Sequence, residues 1–69
     1  MRPNKTLLYV RLALQSSPKP QTVAEIATLV KKDRNAVYRN LLRLVESGEV
    51  CVHGTKRVQG GTTLVWGLV

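Results

Sequence analysis

The sequence predicts a small α+β domain in which three helices are followed by a two-stranded β-hairpin. Three observations predict it. Apolar residues recur at helical spacing in three stretches before Gly48 and at period two after it. The segment Ser17-Pro18-Lys19-Pro20 separates the first stretch from the second, because each proline disfavours helix in the residue before it. Thr22 followed three residues later by Glu25 reads as a capping box, so a helix starts at Val23. Sixty-nine residues with 43% hydrophobic content support one small core and no second, and 1–69 is read as a single domain.

The first helix is expected over about 5–16. Leu7, Val10 and Leu14 share one face and Leu8 and Leu12 another, with Arg11 between them. One face packs on the domain. The other is covered either by the domain's own hairpin or by a second copy of the chain, and the preferred reading is a homodimer through Leu8 and Leu12. Leu42 poses the same choice. The proline-rich connector leads into 18–22, where a short extra strand can edge the hairpin. The second helix covers about 23–30, with Val23, Ile26, Ala27 and Val30 inward, and stops at the polar run Lys31, Lys32, Asp33. That run is the turn, and the Asp33 carboxylate is expected to cap the next helix. The third helix covers about 34–47, with Val37, Leu41, Leu44 and Val45 inward, until Ser47 and Gly48. The hairpin covers about 49–68. Val50 and Val52 alternate with Cys51 and His53, a glycine-rich loop over 54–61 carries Lys56 and Arg57, and Leu64, Trp66 and Leu68 share a side of the second strand. Trp66 is read as the anchor of the hairpin in the core.

The outer face of the third helix carries the chemistry. Asn35, Arg39 and Arg43 are spaced i, i+4, i+8, with Ala36 and Tyr38 at the borders of the stripe. Arginine offers a planar fork of donors to guanine edges or phosphates, asparagine can pair with adenine through a donor and an acceptor together, and tyrosine can reach phosphate. The dipole of the helix start adds positive potential near Arg34 and Asn35. A polar stripe opposite an apolar one is also what any solvated surface helix shows. The short helix, three-residue turn and cap that precede it in order favour the functional reading.

On these residues, 22–50 resemble the winged helix-turn-helix of small bacterial and phage transcription regulators. Glu25-Ile26-Ala27 resembles the family's acidic-aliphatic-Ala triplet, Val30 its second anchor, and Asp33 takes the cap place. Val37, Arg39, Leu41 and Leu44 fall on a Val-x-Arg-x-Leu-x-x-Leu pattern, and Gly48-Glu49-Val50 resembles the step into the first wing strand. The chain departs from the pattern at Lys31, where glycine is usual, and at Lys32, where a small apolar residue is usual. The resemblance implies a winged helix-turn-helix fold. It further implies a regulator, such as a repressor, with the third helix in the major groove of double-stranded DNA and the basic wing on backbone or minor groove. Some winged helices bind left-handed DNA through an Asn and a Tyr one turn apart on the recognition helix and a Trp in the wing, a comparison that Trp66 invites. Anchored on Gly48, the two helix places hold Tyr38 and Leu42 here, so that activity is rejected.

Charge agrees with an anionic partner: eleven Lys and Arg stand against four Asp and Glu, a net charge of +7. Of these cations, Lys31, Lys32, Arg34, Arg39 and Arg43 belong to the helix-turn-helix and Lys56 and Arg57 to the hairpin. No apolar run is long enough to span a membrane, and no secretory signal is present. The single cysteine, Cys51, forms no internal disulfide and suits a reducing cytoplasm. Catalysis is not expected, because Cys51 and His53 on one strand face are too far apart for a good hydrogen bond and no acid orients the imidazole. Two such ligands make no zinc site, and Gly60-Gly61 lacks the strand-to-helix setting of a phosphate loop, so no metal or cofactor is expected. The sequence therefore reads as a sequence-specific DNA-binding transcription regulator that contacts DNA through Lys32, Arg34, Asn35, Tyr38, Arg39, Arg43, Lys56 and Arg57. Two alternatives stand beside it: a protein-protein assembly module using Leu8, Leu12 and Leu42, and one DNA-binding domain of a larger protein.

Overall fold

A computed structural model describes residues 4–69. Its elements are α1 (Lys5–Ser16), α2 (Val23–Val30), α3 (Arg34–Glu46), β1 (Val50–Val58) and β2 (Gly61–Leu68), the last two forming an antiparallel hairpin. This is the α+β arrangement of three helices followed by a hairpin, consistent with a winged helix.

Each helix start has its own local cause. Asn4 caps α1, its side-chain oxygen accepting from the Leu7 amide at 3.1 Å. The capping box of α2 is complete: Thr22 Oγ1 accepts from the Glu25 amide at 3.1 Å, and a Glu25 carboxylate oxygen accepts from the Thr22 amide at 2.9 Å. At α3 the expectation needs correction. Asp33 occupies the cap position with extended backbone, and its carbonyl accepts from the Val37 amide, but its carboxylate makes no capping hydrogen bond. Asp33 is exposed, so water can satisfy the first amides of α3 without it.

The turn between α2 and α3 is closed by Lys31 at φ 57°, the one non-glycine residue with positive φ among those described. The Lys32 amide reaches back to the Ala27 carbonyl at 3.2 Å, the bond that ends a helix over a left-handed residue. Glycine is usual there because a Cβ costs on the order of 1 kcal/mol in that conformation. Lys31→Gly is therefore expected to raise stability by about 0.5–1 kcal/mol, read from the urea midpoint. A lowered midpoint would show that the lysine side chain stabilises the turn by other means.

Val10, Leu14, Ile26, Val37, Leu41, Leu44, Val50 and Trp66 form the core with Ala27, and Leu7, Ala13, Val23 and Val30 pack at its edge. Val45 was expected to face inward with Val37, Leu41 and Leu44, yet it is exposed. Asn40 takes the fourth inward place. At 100° per residue, position 40 falls on the side of the apolar face turned to α1, and position 45 falls off its other edge. Burial of the Asn40 amide is tolerated because its nitrogen donates to the Ala36 carbonyl at 2.7 Å and its oxygen accepts from Asn4 Nδ2 at 2.8 Å. The α1 cap and the middle of α3 are thus joined. Arg11 ties α1 to the turn between α3 and β1 as well, through a 3.0 Å ion pair with Glu49. The third helix ends at Glu46, and Ser47 follows as its cap.

The segment 54–61, expected to be a loop, is instead mostly strand. Pairing runs from Val50 opposite Leu68 to Val58 opposite Gly61, leaving Gln59 and Gly60 as the turn, with Gly60 at φ 91°. A bulge between Val52 and Gly54 shifts the register, and Gly54 at φ 141° takes the conformation a side chain would resist. The β-branched Thr55, Val58, Thr62 and Thr63 then sustain the ladder. The expected strand at 18–22 contracts to a single bridge, in which Gln21 and Trp66 exchange backbone hydrogen bonds of 2.9 and 2.8 Å. Pro18 and Pro20 have no N–H with which to extend it. Among the described residues, no helix is long and apolar enough to cross a membrane.

Candidate nucleic-acid interface

Burial of Val37, Leu41 and Leu44 fixes which side of α3 faces out. Helix geometry then lays Asn35, Arg39, Leu42 and Glu46 along the ridge opposite the core, with Arg43 turned towards the α1 side and Tyr38 and Val45 towards the hairpin. An i, i+4, i+8 stripe drifts by about 40° at each step, which is why Arg43 leaves the ridge that Asn35 begins. Leu42, expected to point partly away from the core, lies on this ridge, and Glu46, which the expected stripe omits, joins it by the same 3.6-residue spacing. The structure brings together Lys32, Arg34, Asn35 and Arg39 at the turn and the first half of α3, all exposed.

Tyr38 is held differently. Its ring stands edge-on to Trp66, with centroids 6.0 Å apart and planes at 80°, while Tyr38 remains half exposed. Trp66 itself is buried and serves as the anchor of the hairpin, whereas Leu64 and Leu68, expected beside it, are exposed. The side of α3 that bears Tyr38 is therefore braced by an aromatic pair reaching from α3 to β2.

The two hairpin cations separate. Lys56 pairs with Thr63 and Arg57 with Thr62 across the ladder, so they point to opposite faces. Arg57 shares the face of Thr62, Leu64 and Trp66, which is the face that meets Tyr38. Lys56 turns the other way, and its ammonium lies 3.2 Å from the Glu25 carboxylate at the start of α2. Both partners of that pair are about half exposed, so it contributes little to stability.

The Thr22 amide, and after it Lys56, hold the Glu25 carboxyl below the usual glutamate range. The Ser47 hydroxyl and then Arg11 do the same for Glu49. A depressed carboxylate adds stability above its unfolded value and loses it as pH falls through its lower folded value. The melting temperature is therefore expected to drop on acidification through the ordinary carboxylate range, and to drop less in a Glu25→Gln, Glu49→Gln double variant. An equal drop in both proteins would place the acid sensitivity elsewhere.

His53 and Cys51 belong to β1. His53 Nε2 is 2.9 Å from the Leu68 carbonyl, and its ring covers Gly67, where a Cβ would come within 2.9 Å of the imidazole. Cys51 is a half-buried free thiol. Among the described residues, no group of His, Cys, Asp or Glu could hold a metal ion. No protein-family model and no curated protein sequence matches this chain.

Proposed function

We propose that this chain is a winged helix-turn-helix protein that binds double-stranded DNA sequence-specifically and regulates transcription. α3 lies in the major groove and the hairpin follows the backbone or the adjacent minor groove. The observation that carries this reading is the outward face of α3, where Asn35 and Arg39 project from a helix that begins beside Lys32 and Arg34. These side chains combine base-edge donors and acceptors with phosphate-binding charge on one rigid element. Ion pairing strengthens the case. Two of the four carboxylates, Glu25 and Glu49, are already engaged by Lys56 and Arg11, Glu46 lies at the far end of the helix, and Asp33 alone stands in the turn against Lys31, Lys32, Arg34 and Arg39. The half of α3 that meets the turn therefore carries an excess of cations. A reducing cytoplasm suits the free thiol of Cys51.

Salt dependence tests the reading. If Lys32, Arg34, Arg39, Arg43 and Arg57 meet phosphates or grooves, the logarithm of affinity for duplex DNA should fall steeply against that of salt, with a slope of roughly −3 to −5. Undetectable binding at low salt, or binding indifferent to salt, would reject DNA as the partner in favour of an assembly role.

A further inference from the structure

A groove of about 630 Å³ runs between α1 and α2, away from Asn35, Arg39 and Arg43. Its apolar walls are Tyr9, Leu12, Ala13, Leu29 and Val30. Leu12 and Leu29 are 55% and 60% exposed, an uncommon degree for leucines set side by side in a small domain. A second, smaller trough continues from it, sharing Ser17, Gln21 and Leu29, and adding Lys19 and Lys56. The combined channel is apolar at one end and basic at the other, with Lys31 on the rim of the apolar half. Its one acid, Glu25, is already paired with Lys56.

We propose that this channel docks an acidic amphipathic segment of a partner protein, which seats an apolar side chain between Leu12 and Leu29 and sets carboxylates against Lys19 and Lys31, the channel lysines not already paired with Glu25. Charge selects the occupant. A second copy of this chain carries the same lysines and a net charge of +7, so two such channels repel each other, whereas an acidic segment is drawn to them. Backbone chemistry selects its form. A strand cannot be added along 20–22, because the Gln21 amide and carbonyl are both bonded to Trp66, Pro20 has no N–H and the Thr22 amide is held by Glu25. The occupant must therefore bring side chains rather than backbone.

A random library of twelve-residue peptides, selected on the intact protein and counter-selected on Leu29→Asp, tests this directly. Leu29 is exposed, so the variant should melt like the parent, and Leu12→Asp provides a second variant in case it does not. Peptides retained only by the intact protein should carry a Leu, Phe or Trp anchor flanked by Asp or Glu. A synthetic representative should bind at least about tenfold more weakly to either leucine variant and to Lys19→Glu, Lys31→Glu. It should shift the amides of Leu12, Gln21 and Leu29 and leave duplex binding intact. Selected peptides that are neutral or basic, or that bind regardless of Leu12 and Leu29, would overturn the proposal. So would sedimentation showing that the intact protein is a dimer and Leu29→Asp a monomer, which would assign the channel to a second copy. An apolar small molecule that fills the channel while no peptide is retained would overturn it also.

Discussion

Trp66→Ala should leave the domain largely unfolded at room temperature. The indole is buried where β2 meets Gln21 on one side and the Tyr38 ring on the other, so its loss opens a cavity at the junction of hairpin, connector and α3. Truncating a buried aromatic costs about 3–5 kcal/mol. A domain of this length has a total stability of roughly 3–10 kcal/mol, so the loss is comparable to the whole. Trp66→Phe retains most of the apolar surface and should cost well under half as much. Urea unfolding followed by circular dichroism measures both. A cost below about 1 kcal/mol for Trp66→Ala would mean that the hairpin is anchored by Val50 rather than by the indole.

Arg39→Ala should lower affinity for the preferred duplex by about 1–3 kcal/mol, roughly 5- to 150-fold, and relax the choice of base at one position. Arg39 lies on the outward ridge with Asn35 one turn before it, so Asn35→Ala should behave alike at a neighbouring base pair. The hairpin should fail in another way. Arg57→Ala is expected to weaken all duplexes nearly equally and to reduce the salt slope by about one unit. Lys56→Ala should have the smaller effect of the two, because Lys56 points to the opposite face and already meets Glu25. Affinities for a selected operator and a scrambled control, measured at several salt concentrations, separate the two behaviours. Should Arg39→Ala preserve the ratio of specific to nonspecific affinity while Arg57→Ala collapses it, the hairpin reads the sequence and α3 merely holds the backbone.

Much of the helical frame was legible because its signals are local. The Thr22-Glu25 capping box, the prolines after Ser17 and the spacing of Val37, Leu41 and Leu44 each act within a turn or two of their own position. What escaped depends on distant partners. Asn40 reads as a surface residue until Asn4 is brought beside it from 36 positions away. The glycines of 54–61 read as a loop because each weakens a strand on its own. Paired with 61–65, one of them absorbs a bulge and another makes the turn. Lys56 and Arg57 looked equivalent as neighbours in sequence. Only a continuous strand makes adjacent residues face opposite ways, and only the docking of the hairpin on α2 gives Lys56 a carboxylate. Within the candidate site, polar periodicity places Asn35 and Arg39 on the outward face, whereas the alignment of Leu42 and Glu46 with them follows from 3.6-residue geometry and not from polarity.

Amide chemical shifts followed during titration with duplex DNA will show whether the duplex lies against the outward face of α3. The predicted result is that shifts concentrate at 32–35, at Tyr38, Arg39 and Arg43, and at Arg57 on the hairpin, while Leu12, Leu29 and the rest of the α1–α2 channel stay unchanged. Shifts confined to α1 and the α1–α2 channel, with α3 silent, would contradict the account.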